Sequence, residues 1–172
     1  MKALFNFRAF TVLMCAMLMT ATVMAQDKKP ASPHKGVKGE VAGSTITIRY
    51  GSPYVKGRKI WGGLEPYGKV YRAGADSATT FTTSKSIKVE GKELPAGKYA
   101  FFVIPAEKGQ WTVIFNKTAE QWGAFKYDQK QDQLRVMVTP KMHAMTESLT
   151  YVITKNGFSM DWDKISIPVS IK

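Results

Sequence analysis

Thr45-Ile46-Thr47-Ile48-Arg49-Tyr50 is the stretch whose reading decides the fold. Polar and apolar side chains alternate through it. Successive side chains of a strand point to opposite faces, so one face of this stretch is built for burial and the other for water. Working outward, runs of similar character occur at Ala78–Thr83, Ser86–Glu90, Lys98–Ile104, Trp111–Asn116, Leu134–Thr139, Leu149–Thr154, Phe158–Trp162 and Ile165–Ile171. Between them lie breakers: Gly91, Pro95-Ala96-Gly97, Pro105 to Gly109, Pro140 and Asn156-Gly157. Asn-Gly tolerates positive φ at both positions and predicts a two-residue hairpin turn leading into the strand that contains Trp162. Roughly nine short strands, with at most one short helical turn near Thr118–Trp122, predict an all-β fold: a single antiparallel β-sandwich over residues 41–172.

The start of the chain reads differently. Lys2 and Arg8 precede an apolar run from Ala9 to Met19, and Val23-Met24-Ala25 ends it with a small residue. These are the three parts of a secretory signal, which predicts cleavage after Ala25 and an exported protein, periplasmic or secreted. Cys15, the one cysteine, lies inside the apolar run behind Val12-Leu13-Met14, where a bulky Met stands in the place a lipoprotein peptidase needs small. It is expected to leave with the signal, so the mature chain has no disulfide, thiolate nucleophile or cysteine metal site. Residues 26–40 (QDKKPASPHKGVKGE) are polar and rich in Pro, Gly and Lys, which predicts a flexible tether. No transmembrane span is expected in the mature chain.

Charge narrows the partners. The 25 basic residues less Lys2 and Arg8, against 13 acidic ones, leave the mature chain at +10. The lysines are scattered through nearly every segment, which reads as a solvated cationic surface. An exported location argues against nucleic acid and leaves an envelope protein or an acidic glycan as partner.

The most irregular segment is Tyr50 to Asp76 (YGSPYVKGRKIWGGLEPYGKVYRAGAD). A long irregular segment in a compact domain is usually functional or disordered, and its four tyrosines and Trp61 argue against disorder. Arg49, Lys56, Arg58, Lys59, Lys69 and Arg72 face only Glu65 and Asp76. Arg58, Trp61, Tyr67, Lys69, Arg72 and Asp76 are therefore the candidate ligand-binding residues, with aromatic stacking and guanidinium forks. The bland alternative is a structured cover over one end of the sandwich, with Arg72 paired to Asp76. Gly63 to Lys69 matches most of a phosphate-binding loop, but Val70 stands where a hydroxyl is needed and Pro66 interrupts it, so the match carries no function.

Two further constellations have recognisable chemistry. Met142-His143-Ala144-Met145 offers thioether and imidazole ligands suited to monovalent copper. The competing reading is a methionine anchor for a loop between strands. Asp161 and Asp163 flank Trp162 and could supply paired carboxylates, or could be solvent-facing charges opposite a buried tryptophan. No Gly-x-Ser-x-Gly turn accompanies His143, and no catalytic residue and no cofactor are expected.

Several groups of residues, taken together, carry a resemblance. They are Tyr50-Gly51-Ser52-Pro53, Val55 to Ile60, Gly62-Gly63-Leu64, Pro66 to Val70 and Arg72 to Ala75, followed by Leu94 to Tyr99, Trp111 to Asn116, Gln121 to Ala124 and Leu134-Arg135-Val136. In this order they resemble the bacterial domain of unknown function 2911 family from about Ser32 to the C-terminus. The resemblance implies a small exported protein with a β-sandwich, as is common in Bacteroidetes-type bacteria, and supplies no catalytic residue. The family pattern has Arg before the proline where this chain has Ser52. It has Trp-Arg-Thr-Gly-Ala-Asn where this chain has Tyr71 to Asp76. The Met142–Met145 segment lies outside the pattern. The resulting expectation is a non-enzymatic envelope binding module for a protein or glycan. The alternatives are a hydrolase of an envelope polymer and, third, a periplasmic copper-binding protein.

Overall fold

The structure is a computed structural model that describes residues 31–172. The expected signal peptide, Cys15 and the first residues of the expected tether lie outside that range. The deciding stretch is strand β2 (Ser44–Gly51), and its alternation is realised: Ile46, Ile48 and Tyr50 are buried while Arg49 is exposed. On one side β2 pairs with β1 (His34–Val41), on the other with β3 (Ala75–Thr83). With β6 (Gly97–Ile104), β7 (Trp111–Asn116) and β8 (Asp132–Val138) these form a six-stranded antiparallel sheet in the order β1-β2-β3-β6-β7-β8. A long hairpin of β9 (Lys141–Thr154) and β10 (Gly157–Ser170) makes the second layer, and the small hairpin of β4 (Ile87–Val89) and β5 (Lys92–Leu94) adds a third, two-stranded sheet. Val89 pairs with Ile171, which ties the small hairpin to the end of the chain.

The main core lies between the large sheet and the β9–β10 hairpin. Phe81, Phe101 and Phe115 from the sheet meet Phe158 and Tyr151 from the hairpin, with Phe81–Phe158 and Phe101–Phe158 centroids at 5.4 and 5.5 Å. Aromatic pairs at such separations add to the stabilisation from burial itself. The outer face of the sheet holds a second, smaller core. Ala78, Ala100, Phe102 and Ile114 are covered there by Ala124 and Tyr127 from the segment between β7 and β8. Strand β6 is therefore buried on both faces, which is why Tyr99 to Val103 reads as a continuous apolar run.

Four sequence expectations are corrected. From His34 onward the expected tether is strand β1, whose backbone pairs with β2 residue for residue. As an edge strand it buries only Val41 fully, so its polar composition hid it. The run at Leu149–Thr154 belongs to a strand that begins at Lys141, and the runs at Phe158–Trp162 and Ile165–Ile171 belong to the single β10. The hairpin turn is Lys155-Asn156, one residue earlier than expected, because Gly157 already pairs with Thr154. The segment around Thr118–Trp122 is not helical; the one helical turn among the described residues is the 3-10 turn Gln129–Gln131, capped by the Asp128 side chain. No helix among the described residues is long and apolar enough to cross a membrane.

Candidate functional site

Of the six candidate residues of the Tyr50–Asp76 segment, Arg58 and Arg72 both lie close enough to Glu65 for their charges to act on it, while Trp61 is buried. Trp61 is 6% exposed, and its ring packs against Trp111 at 4.7 Å, Trp162 at 5.8 Å and Tyr71 at 6.2 Å. It is a core residue. Arg58 is committed to its own loop: its guanidinium donates to the carbonyls of Tyr54 at 2.5 Å and Val55 at 3.0 Å. These bonds close the turn that feeds Ile60 and Trp61 inward. Arg58→Ala should consequently lower the free energy of unfolding by about 1–2 kcal/mol in urea titration, since two carbonyl acceptors lose a charged donor. Arg72 donates to the Gly74 carbonyl at 3.2 Å. Tyr67, 37% exposed, lies across Gly62, and Lys69 is exposed beside it.

Asp76 does not pair with Arg72. Its carboxylate faces the His34 imidazole at 3.6 Å, across to β1. Asp76 also has φ of 64°, a left-handed conformation that Asn and Asp adopt more readily than other side chains. The residue that does lie among charges here is Glu65. Burial pushes its carboxyl up to about 7, although the charges of Arg72 and Arg58 oppose the rise. Trp61 Nε1, Tyr71 Oη and Trp162 Nε1, all in the same aromatic cluster, have no hydrogen-bond partner within the described protein. Trp61 and Tyr71 of the segment thus pack inward, and among the described residues Arg72 and Asp76 form no ion pair.

The other two constellations are placed as follows. Met142, His143 and Met145 are exposed on the first half of β9. The His143 Nδ1 lies 2.7 Å from the Ala144 carbonyl and 3.2 Å from Thr146 Oγ1. Asp161, expected at the solvent, is 7% exposed and accepts from Ser159 and Ser166 hydroxyls at 3.1 and 2.5 Å. Asp163 sits at a bulge with φ of 56°. The shift in register there separates it from Asp161, so the pair does not form a matched dyad on one regular strand.

A different surface has the geometry of a binding site. On the outer face of the sheet, the register places Lys38, Thr47, Thr82 and Lys98 in one row across four strands, and Gly36, Arg49, Thr80 and Ala100 in the next. The covering segment between β7 and β8 buries Ala100 but leaves Lys38, Arg49 and Lys98 exposed. It leaves a groove of about 590 Å³ whose lining includes Arg49, Thr80, Lys98, Ser77 and Gln121, continued by a hollow of about 350 Å³ over Thr47 and Thr82. Lys98 is paired with Glu120, and Lys35 reaches away to Ser148. Arg49 makes no side-chain hydrogen bond or ion pair among the described residues, so its five donors are free. Gln121 donates to the Thr118 carbonyl at 2.7 Å, while its buried Oε1 has no partner. Sequence reading missed this site. The signal was the polar half of the alternation that defined the strands: Thr47, Arg49, Thr80 and Thr82 were read only as the wet face.

A family profile described as protein of unknown function (DUF2911) matches residues 32–171. The chain belongs to this family. The DUF2911 match and the folded unit coincide, since the first strand starts at His34 and the last ends at Ser170. Ser52 is buried, and its hydroxyl donates to the Leu149 carbonyl at 2.7 Å, which stitches the segment to β9. No curated protein and no solved structure matches the chain.

Proposed function

We propose that this DUF2911 protein is an exported, non-enzymatic binding module that holds an acidic glycan in the groove on the outer sheet face. The observation that carries the reading is the unengaged Arg49 guanidinium, flanked by the Thr47, Thr80 and Thr82 hydroxyls. A guanidinium fork matches a carboxylate in two parallel bonds. Hydroxyl side chains exchange hydrogen bonds with sugar hydroxyls as donor or acceptor. The strands fix these groups at cross-strand spacing, so little ordering is needed on binding.

The test is binding of polyuronate oligosaccharides, compared with the same sugars reduced to neutral form. The acidic series should bind and the neutral series should bind at least about ten-fold more weakly, the worth of one charged, bidentate contact. Arg49→Ala should lose a similar factor with a nearly unchanged melting temperature, because the side chain is exposed and makes no hydrogen bond or ion pair among the described residues. Equal binding by Arg49→Ala and wild type, or no uronate binding at all, would remove this reading.

A further inference from the structure

The segment between β7 and β8 carries two large aromatic side chains on its outer side. Trp122 is 65% exposed and Phe125 is 82% exposed, while Trp61, Trp111 and Trp162 are at 6%, 4% and 0%. Their exposure does not come from a loose loop. Ser77 and Trp122 form a β-bridge, the Ala78 amide donates to the Gln121 carbonyl at 3.0 Å, and the Gly123 amide donates to the Asp76 carbonyl at 3.1 Å. At the base, the Asn116 amide donates to the Asp128 carbonyl and the Asp132 carboxylate at 3.0 and 2.8 Å. Ala124 and Tyr127 turn inward onto the second core. With its inward anchors supplied, the segment holds Trp122 and Phe125 out on a rigid stem.

Three lysines lie on the same segment, and Lys126 lines one hollow with Trp122 and Phe125. Lys117, Lys126 and Lys130 are exposed and form no ion pair among the described residues. Of the acids on this segment and at its end, Glu120 pairs with Lys98 and Asp132 with Arg135, which leaves the exposed Asp128 as the one carboxylate set against the three lysines. The face therefore combines apolar fingers with a net positive charge. We infer that this face docks on an anionic lipid surface, with Trp122 and Phe125 entering the headgroup boundary and Lys117, Lys126 and Lys130 meeting lipid phosphates.

Two features favour a bilayer over a protein partner. The two side chains offer roughly 300 Å² of apolar surface, well below the ~800 Å² that each partner of a stable protein complex buries. Lysine is also depleted in protein interfaces, whereas tryptophan flanked by lysine is a common anchor at a membrane boundary. The inference is independent of the groove: it uses neither Arg49 nor its threonines.

Trp122 is its own reporter, because the other three tryptophans are buried. The full chain is mixed with vesicles of phosphatidylglycerol and phosphatidylethanolamine, and separately with phosphatidylcholine alone. Anionic vesicles should shift the emission to the blue and shield Trp122 from acrylamide, and added salt should reverse both. A Lys117→Gln/Lys126→Gln/Lys130→Gln variant keeps the reporter and should partition at least about ten-fold more weakly, given a factor of about five for each lysine near the surface. Phe125→Ala should weaken the same response, with melting temperature unchanged in both variants. No blue shift, or an equal shift with the lysine variant, would overturn the inference. So would a shift of Trp122 on adding polyuronate without vesicles, since that would assign the aromatic pair to the glycan groove.

Discussion

Gly157→Ala is expected to destabilise the domain by about 3–5 kcal/mol, the largest effect of any small substitution here. Gly157 has φ of 145°, and a Cβ built on it would lie 2.0 Å from the Val169 carbonyl oxygen and 3.0 Å from its carbon. The contact exists because β10 curls back on its own beginning: the Ile171 amide donates to the Asn156 carbonyl at 2.9 Å. The curl starts at the bulge around Asp163, where the register against β9 shifts twice. Bulges sharpen the twist and bend of a strand. A methyl at 157 must push one of two backbones aside, and both belong to hydrogen-bonded sheet. A drop of roughly 10 °C or more in melting temperature follows for a domain of this size. Gly43→Ala is the control. Gly43 also has positive φ, 72°, but nothing lies within 4 Å of its Cβ position, so only about 1 kcal/mol of conformational cost applies there. Equal losses at the two sites in urea titration would show that the close approach does not matter.

This same curl explains how far the sequence could be read. The alternation in Thr45–Tyr50, and the breakers between runs, located most strands because burial on one face leaves a period-two trace. Where burial was different, the trace failed. Strand β1 is nearly all exposed and read as a tether; the first half of β9, from Lys141 to Glu147, is exposed or half-buried and read as a loop. Long-range contacts left no local signal. Nothing near Asn156-Gly157 announces that Val169 returns to it, and nothing near Trp61 announces that Trp111 and Trp162 enclose it. The aromatic and basic content of Tyr50–Asp76 was legible, but composition cannot distinguish a ring presented to a ligand from one packed against two other tryptophans. The groove was hidden for the converse reason. Its residues are ordinary polar strand positions, and only the register that aligns four strands brings Arg49, Thr80 and Lys98 to one place.

Glu65→Gln should stabilise the protein at alkaline pH and leave it unchanged in acid. Burial is the main cause that lifts the Glu65 carboxyl from 4.5 to about 7, with Arg72 and Arg58 opposing. The unfolded chain therefore releases this proton first. Below pH 4.5 the carboxyl is neutral in both states and costs nothing. Between pH 4.5 and 7 only the unfolded state ionises, so stability falls as pH rises. Above 7 the full penalty stands, about 3 kcal/mol from the shift alone and about 2 kcal/mol after screening at the partly exposed edge of the site. Glutamine keeps the shape and cannot ionise. The two proteins should melt together near pH 4 and separate by several degrees at pH 8 to 9, with the variant higher. This pH window also tests what the segment is. Gly62 and Glu65 bond through their backbones, and Trp61 forms a bridge with Glu65, so ionising the carboxyl loads the turn that holds Trp61 against Trp111. If the segment is a packed cover, the tryptophan near-UV signal of the wild type should weaken with a midpoint near pH 7, where the folded protein ionises, while that of the variant stays constant. A flat stability difference across pH would instead place Glu65 in water, and would return the Tyr50–Asp76 segment to the solvent-facing surface that its composition first suggested.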